Sequence, residues 1–246
     1  MTSPDTARIV AAADTITTIY AAALRPLTEI AAETPENPPA LDTAVDSVGW
    51  LITSGPHLDR AVNLLLGRLI HAGVTRDRIR RLLGVRPETL NARLGSAPDP
   101  AAPTAVSSRV GMFTDRDKVS VRAARESLIT AAADLIGTYA DALRPLSQLS
   151  EGAVPEAATV EAALEGVAVL HGSRRDLDAA LDRVLACLVL GGVKRMSLAE
   201  VVEVAPSTLQ KRLSTQPLAR ARGCDLVQLE DGTWGVQRAA VGRWAS

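Results

Sequence analysis

Two clusters of polar side chains dominate the chemistry available to this chain of 246 residues, and their types suit hydrogen bonding and charge neutralisation rather than bond-making. Residues 86–93 carry Arg86, Glu88, Thr89, Asn91 and Arg93 around Leu90 and Leu94. Residues 205–212 carry Ser207, Thr208, Gln210, Lys211 and Arg212 around Leu209 and Leu213. Leucines four apart mark the inward stripe of a helix, so the polar residues face out. Asn91 and Gln210 occupy the same place in their clusters, and a carboxamide offers a donor and an acceptor side by side. Just upstream stand Arg76, Arg78, Arg80 and Arg81 in the first case and Lys194 and Arg195 in the second, cations that suit an anionic partner.

The two clusters belong to an internal repeat. Shifting the chain by 119 residues lays residues 6–95 on 125–214 without a gap. Identities include Tyr20 and Tyr139, Ala23–Leu27 and Ala142–Leu146, Leu58-Asp59 and Leu177-Asp178, and Gly73-Val74 and Gly192-Val193. Each copy reads as an N-terminal helical extension and a compact C-terminal half. Ile9, Ala13, Ile16, Tyr20 and Leu24 form a helical stripe that Pro26 breaks or kinks, since proline lacks the N–H that a helix interior needs. A proline-rich loop at 33–39 precedes a helix at 40–52 with Leu41, Val45, Val48 and Leu51 inward, and Trp50 reads as core. Further helices are expected at 58–72, 75–83 and 87–94, and in the second copy at 177–190, 197–203 and 206–213. A hairpin should close each copy, from 110–113 and 118–121 in the first and from 226–229 and 233–236 in the second. Asp231-Gly232 reads as a two-residue turn.

Residues 79–94 resemble a bacterial helix-turn-helix, with Gly84 in the tight turn, Val85 and Leu90 inward and Pro87 in the first turn of the second helix. Residues 198–213 are similar, but Glu203 stands where the turn glycine belongs, and Arg86 and Ala205 stand where a serine cap is usual. With the preceding helix and the hairpin, 58–124 and 177–240 resemble the winged-helix superfamily. The resemblance implies a recognition helix in the DNA major groove. Arg86, Glu88, Thr89, Asn91 and Arg93 would read bases in one copy, and Ser207, Thr208, Gln210, Lys211 and Arg212 in the other. Asn91 and Gln210 would bond adenine through two atoms. Arg76, Arg78, Arg80, Arg81, Lys194 and Arg195 would meet phosphates, and Arg116, Lys118 and Arg122 would support a wing contact.

Composition agrees with a folded helical protein, at 47 % hydrophobic and 22 % charged residues with aromatics scarce. The net charge of −1 hides a segregation. Residues 1–59 hold two basic and eight acidic side chains, whereas 60–124 hold twelve and five. Residues 125–178 hold four and nine, and 179–246 hold nine and six. Cys187 and Cys224 do not recur between copies, so neither a disulfide framework nor a zinc site is expected. His57, His71 and His171 do not recur either, no phosphate-binding loop is present, and the acidic residues of 29–46 and 151–165 read as solvated helix faces. No enzyme, cofactor or metal is therefore expected. The longest apolar run, 184–193, falls short of the ~18 residues that span a bilayer, and the first residues lack a signal-peptide pattern, so a cytoplasmic protein is expected.

The expected fold is mainly α with small β-hairpins, two tandem winged-helix-like modules at 1–122 and 123–246, each with an N-terminal helical extension. The expected function is double-stranded DNA binding, with the two modules as an intrachain pseudo-dimer regulating transcription. The acidic extensions would serve contact between copies, a homodimer or a protein partner. The alternative is a protein-interaction scaffold of a chromosome-organising, plasmid or phage complex, in which one or both reading helices serve protein contact.

Overall fold

The computed structural model describes residues 3–95, 111–220, 225–230 and 232–237. The chain is mainly helical, and the described residues contain one small antiparallel sheet. Helices α1 (Ser3–Ala31), α2 (Leu41–Thr53), α3 (Gly55–His71), α4 (Arg76–Leu83) and α5 (Pro87–Gly95) come from the first copy. Helices α6 (Lys118–Ser150), α7 (Thr159–Gly172), α8 (Arg174–Leu190), α9 (Arg195–Val201) and α10 (Pro206–Leu213) come mainly from the second, followed by strands β1 (Asp225–Gln228) and β2 (Trp234–Gln237).

These elements form two compact units, and each unit contains segments of both copies. The first comprises residues 3–25, 53–95 and 137–177; the second comprises 26–52, 111–136 and the described residues from 178 onward. In the first unit α3, α4 and α5 of one copy share a core with α7 and the C-terminal part of α6 of the other. Ile9, Ile16, Leu65, Leu69, Ile79 and Leu90 meet Leu146, Leu149 and Leu164 there. The Tyr20 and Tyr139 rings, equivalent residues of the repeat, lie 5.2 Å apart in this unit. Burial first, then the neighbouring Tyr139 and the Asp59 carboxylate, push the Tyr20 phenol well above its usual range, so it stays neutral. In the second unit Arg125 on α6 donates to the carbonyls of Pro38 and Pro39, the latter at 2.9 Å, which ties the proline-rich loop of the first copy to the second.

Local sequence explains most boundaries. The Thr75 hydroxyl accepts the Arg78 N–H at 3.2 Å and caps α4. Gly84, at φ 63°, ends α4 in the left-handed conformation, with the Val85 N–H donating to the Arg80 carbonyl. Glu203 adopts φ 55° at the equivalent place after α9, with the Val204 N–H donating to the Ala199 carbonyl. The turn thus survives the loss of its glycine, at a strain of roughly 1–2 kcal/mol for an L-residue in this region. Gly192, at φ 105°, has a second constraint: a Cβ there would sit 2.5 Å from the Thr114 carbonyl oxygen.

Several expectations fail. The hairpin of the first copy does not form. Val110 lies outside the described residues, and residues 118–121 are the first turn of α6. Asp117 decides the outcome, because its carboxylate accepts from the Ser120 N–H at 2.8 Å and the Ser120 hydroxyl at 2.6 Å, a helix N-cap. Met112 and Thr114 instead pair with the segment after α8, through Thr114 N–H to Gly192 O at 2.8 Å and Lys194 N–H to Met112 O at 2.9 Å. The second hairpin forms one residue out of the expected span, with Leu226 opposite Val236 and Gln228 opposite Trp234. Three residues separate Leu229 from Thr233, whose carbonyl accepts the Leu229 N–H at 2.7 Å, and Gly232 takes φ 82°, so the loop is a three-residue turn rather than a two-residue one. Asp231 itself lies outside the described residues.

Neither Pro26 nor Pro145 ends its helix. Trp50 is 49 % exposed, because the buried stripe of α2 runs through Val45, Val48 and Leu51 and leaves position 50 on the far face. Among the described residues, Pro4–Ala31 has the length and mean hydropathy (1.3) to cross a membrane, but its stripe of Ile9, Ala13 and Ile16 is fully buried in protein.

Candidate nucleic-acid interface

In the first unit, α4 and α5 meet at the tight Gly84 turn, and Ile79, Leu83 and Leu90 anchor them to the core. That anchoring leaves Arg76, Arg78, Arg81, Arg86, Glu88, Thr89 and Asn91 exposed, with Arg80 and Arg93 half-buried. Arg76 Nη1 lies 3.4 Å from Asn91 Oδ1, so the upstream cation and the carboxamide of α5 share one face. Three of the four α4 arginines have carboxylate partners. Arg78 pairs with Glu161 of α7 at 2.5 Å, while Arg80 and Arg81 share Asp77 at 2.8 and 3.2 Å. Hydrogen bonding and charge from Arg80 hold the Asp77 carboxyl below its usual range. Exposed pairs of this kind are screened by water and contribute little, so exchanging them for phosphate oxygens costs little. Arg93 lies within electrostatic reach of His171 of α7. Burial, then the charges of Arg93 and Arg174, hold that imidazole below its usual range, so it is neutral at pH 7.

The second unit presents Ser207, Thr208, Gln210 and Lys211 exposed on α10, held by buried Leu209 and Leu213. Arg212 departs from the expected outward face. Its Nη2 lies 2.7 Å from Asp182 Oδ1 of α8 and 3.7 Å from Asp178, with the two paired side chains of Arg212 and Asp182 only 24 % and 12 % exposed. Burial pushes the Asp182 carboxyl up, and the Arg212 hydrogen bond and charge oppose that rise. Lys194 is exposed before α9, and Arg195 donates to the Ala219 carbonyl at 2.8 Å.

Arg116, Lys118 and Arg122 are not on a wing of the first copy, since that hairpin does not form. All three belong to the second unit. Arg116 precedes α6 and Lys118 opens it. Arg122 donates to Glu126 at 2.8 Å and sits 5.7 Å above the ring of Trp234. Trp234 is half-buried and donates its indole N–H to Glu126 at 2.8 Å.

Sequence reasoning missed Glu161 and Asp182. Glu161 lies 83 residues from Arg78, and no local pattern links them. Asp182 did leave a signal: it is the one acid between the apolar residues Leu181 and Val184–Val189, on a helix whose first-copy equivalent has Asn63. Among the described residues no group of histidine, cysteine and acidic side chains could hold a metal ion. No protein-family model matches the chain, and neither a curated protein nor a solved structure matches it.

Proposed function

We propose that the chain binds double-stranded DNA through α4 and α5 and acts as a transcriptional regulator, with the repeat supplying two non-identical reading helices. The observation that carries this reading is the contact of exposed Arg76 with exposed Asn91, with Arg86, Glu88 and Thr89 also exposed on or beside α5. A helix of this length, tethered by a tight turn and bearing guanidinium and carboxamide groups outward, matches the dimensions and the hydrogen-bonding code of the major groove. The resemblance of residues 79–94 to a helix-turn-helix, with Gly84 in its turn, supports the same reading. Arg76, Arg78 and Arg81 supply phosphate contacts together with Arg86, which moves from base reading to phosphate because it precedes the first turn of α5, and Asn91 and Arg93 make the base contacts. On a duplex selected for tight binding, Asn91→Ala should cost about 1–3 kcal/mol, with little change on random duplex. Equal losses on both duplexes would reject base reading by Asn91.

A second reading applies to the second unit, favoured by the engagement of Arg212 with Asp182 and Asp178. There α10 serves contact with a protein partner, and the DNA affinity of the whole chain rests on the first unit. Gln210→Ala and Lys211→Ala would then leave duplex affinity unchanged, whereas a loss comparable to that of Asn91→Ala would return α10 to DNA reading.

A further inference from the structure

Beneath the β1–β2 hairpin of the second unit lies a cavity of about 610 Å³. That volume falls within the range of about 300–1,000 Å³ typical of small-molecule sites. Its walls are apolar and short, with Ile129 and Ala131 from α6, Ala186 and Cys187 from α8, and Leu218 and Val236 closing the hairpin side. Cys187 is wholly buried, and burial pushes its thiol up to about 12, so the wall there is neutral and apolar. Trp234 offers an aromatic surface along one side.

The polar groups of the lining are few and oriented. The Glu126 side chain is only 10 % exposed, accepts the Trp234 N–H at 2.8 Å and faces both this cavity and an adjoining one of about 410 Å³. A carboxylate this deep needs a cation. Burial opposes ionisation of Glu126, but the hydrogen bonds from Trp234 and Arg122 outweigh it and hold the carboxyl below its usual range. The cation is Arg122, which bonds Glu126 at 2.8 Å and lies 5.7 Å over the indole. Yet the Arg122 side chain is itself 61 % exposed. One exposed and replaceable guanidinium therefore occupies a place built from a half-buried carboxylate and an aromatic face, the two partners that recognise organic cations. Asp134, two turns further along α6, lines the same cavity with Arg183 3.6 Å from it, and Glu36 lines the adjoining one. Acidic groups outnumber basic ones around the two cavities, which disfavours an anion.

We infer that this cavity binds a flat, apolar organic cation, which displaces Arg122 from Glu126 and stacks on Trp234 while its ring system fills the apolar space. The inference stands independently of DNA binding. It is tested on the full chain, free of DNA, with ethidium as the cationic probe and anilinonaphthalene sulfonate as an anionic probe of similar size. Ethidium should bind saturably with one site per chain, at least tenfold tighter than the anion. Glu126→Gln, which keeps an acceptor for the Trp234 N–H, should weaken ethidium at least tenfold. Arg122→Ala removes the competing cation from an exposed position and should strengthen ethidium severalfold, a gain that a purely structural role for Arg122 would not produce. Glu126→Gln should melt near the parent, whereas Arg122→Ala, which leaves the Glu126 carboxylate without its cation, should melt lower and be raised by ethidium more than the parent is. Absence of saturable ethidium binding, equal or tighter binding of the anion, or weaker binding by a folded Arg122→Ala variant would each overturn the inference.

Discussion

Arg212→Ala and Arg93→Ala, changes at one position of the repeat, should fail in opposite ways. Arg212 reaches Asp182 with Nε at 2.8 Å and Nη2 at 2.7 Å, and the Asp182 side chain is only 12 % exposed. Removing one partner of a buried ion pair costs about 3–5 kcal/mol because the other charge is stranded. Here a quarter of the arginine side chain reaches solvent and Asp182 can take up a proton, which lowers the expected loss to about 2–3 kcal/mol. At about 2–4 °C per kcal/mol for a chain of this size, the melting temperature should fall by roughly 4–12 °C. The sign with pH follows from Asp182. Its carboxyl is already raised by burial, against the opposing effect of Arg212. Without Arg212 it rises further. A raised acid contributes stability below its ordinary value of about 4 and loses it as the pH rises. The deficit of Arg212→Ala should therefore be largest near neutral pH and shrink on acidification. Arg93 has Asn63 where Arg212 has Asp182, so Arg93→Ala should change stability by no more than about 1 kcal/mol while weakening duplex binding. Urea denaturation of both variants between pH 4 and pH 7, with duplex titration at pH 7, measures all of this. A fully stable Arg212→Ala that has lost DNA affinity would refute the assignment.

Glu203→Gly should stabilise the protein. It removes about 1–2 kcal/mol of left-handed strain and adds about 0.4–1 kcal/mol of unfolded-chain entropy, leaving a gain of about 0–1.6 kcal/mol, read as a higher urea midpoint; a lower midpoint would mean that the Glu203 side chain has a stabilising contact outweighing its strain. Gly84→Ala, the reverse change in the first copy, should destabilise by about 1 kcal/mol by the same measurement. A protease site placed between residues 96 and 110 should yield two fragments that elute together at the 25.8 kDa of the intact chain, because each unit draws on segments from both sides of the cut. Fragments that separate without denaturant would contradict that interleaving.

The helices were legible because their signals are local. Gly84, Leu90 and Leu94 mark a turn and an inward stripe within about a dozen residues, and the structure places each accordingly. Residues 118–121 alternate as a strand would, whereas Asp117 and Ser120 join to cap a helix that runs on to Ser150. That cap, itself legible in the sequence, outweighs four alternating residues. Exchange of segments between the copies was beyond local reading. The apolar stripe around Leu24 and Leu143 demands burial but does not name the surface that buries it. The same limit hid Glu161 and Asp182, whose partners come from distant segments.

The most direct test of DNA binding by the first unit is the salt dependence of duplex affinity for the parent chain and for Arg76→Ala/Arg86→Ala, both exposed and the first in contact with Asn91. Each phosphate contact contributes about 0.9 to the slope of log affinity against log salt concentration. The parent should lose affinity steeply as salt rises, and the double variant should show a slope shallower by about 2 with its folding intact. A parent slope near zero, or an unchanged slope in the double variant, would contradict the assignment of this face to DNA.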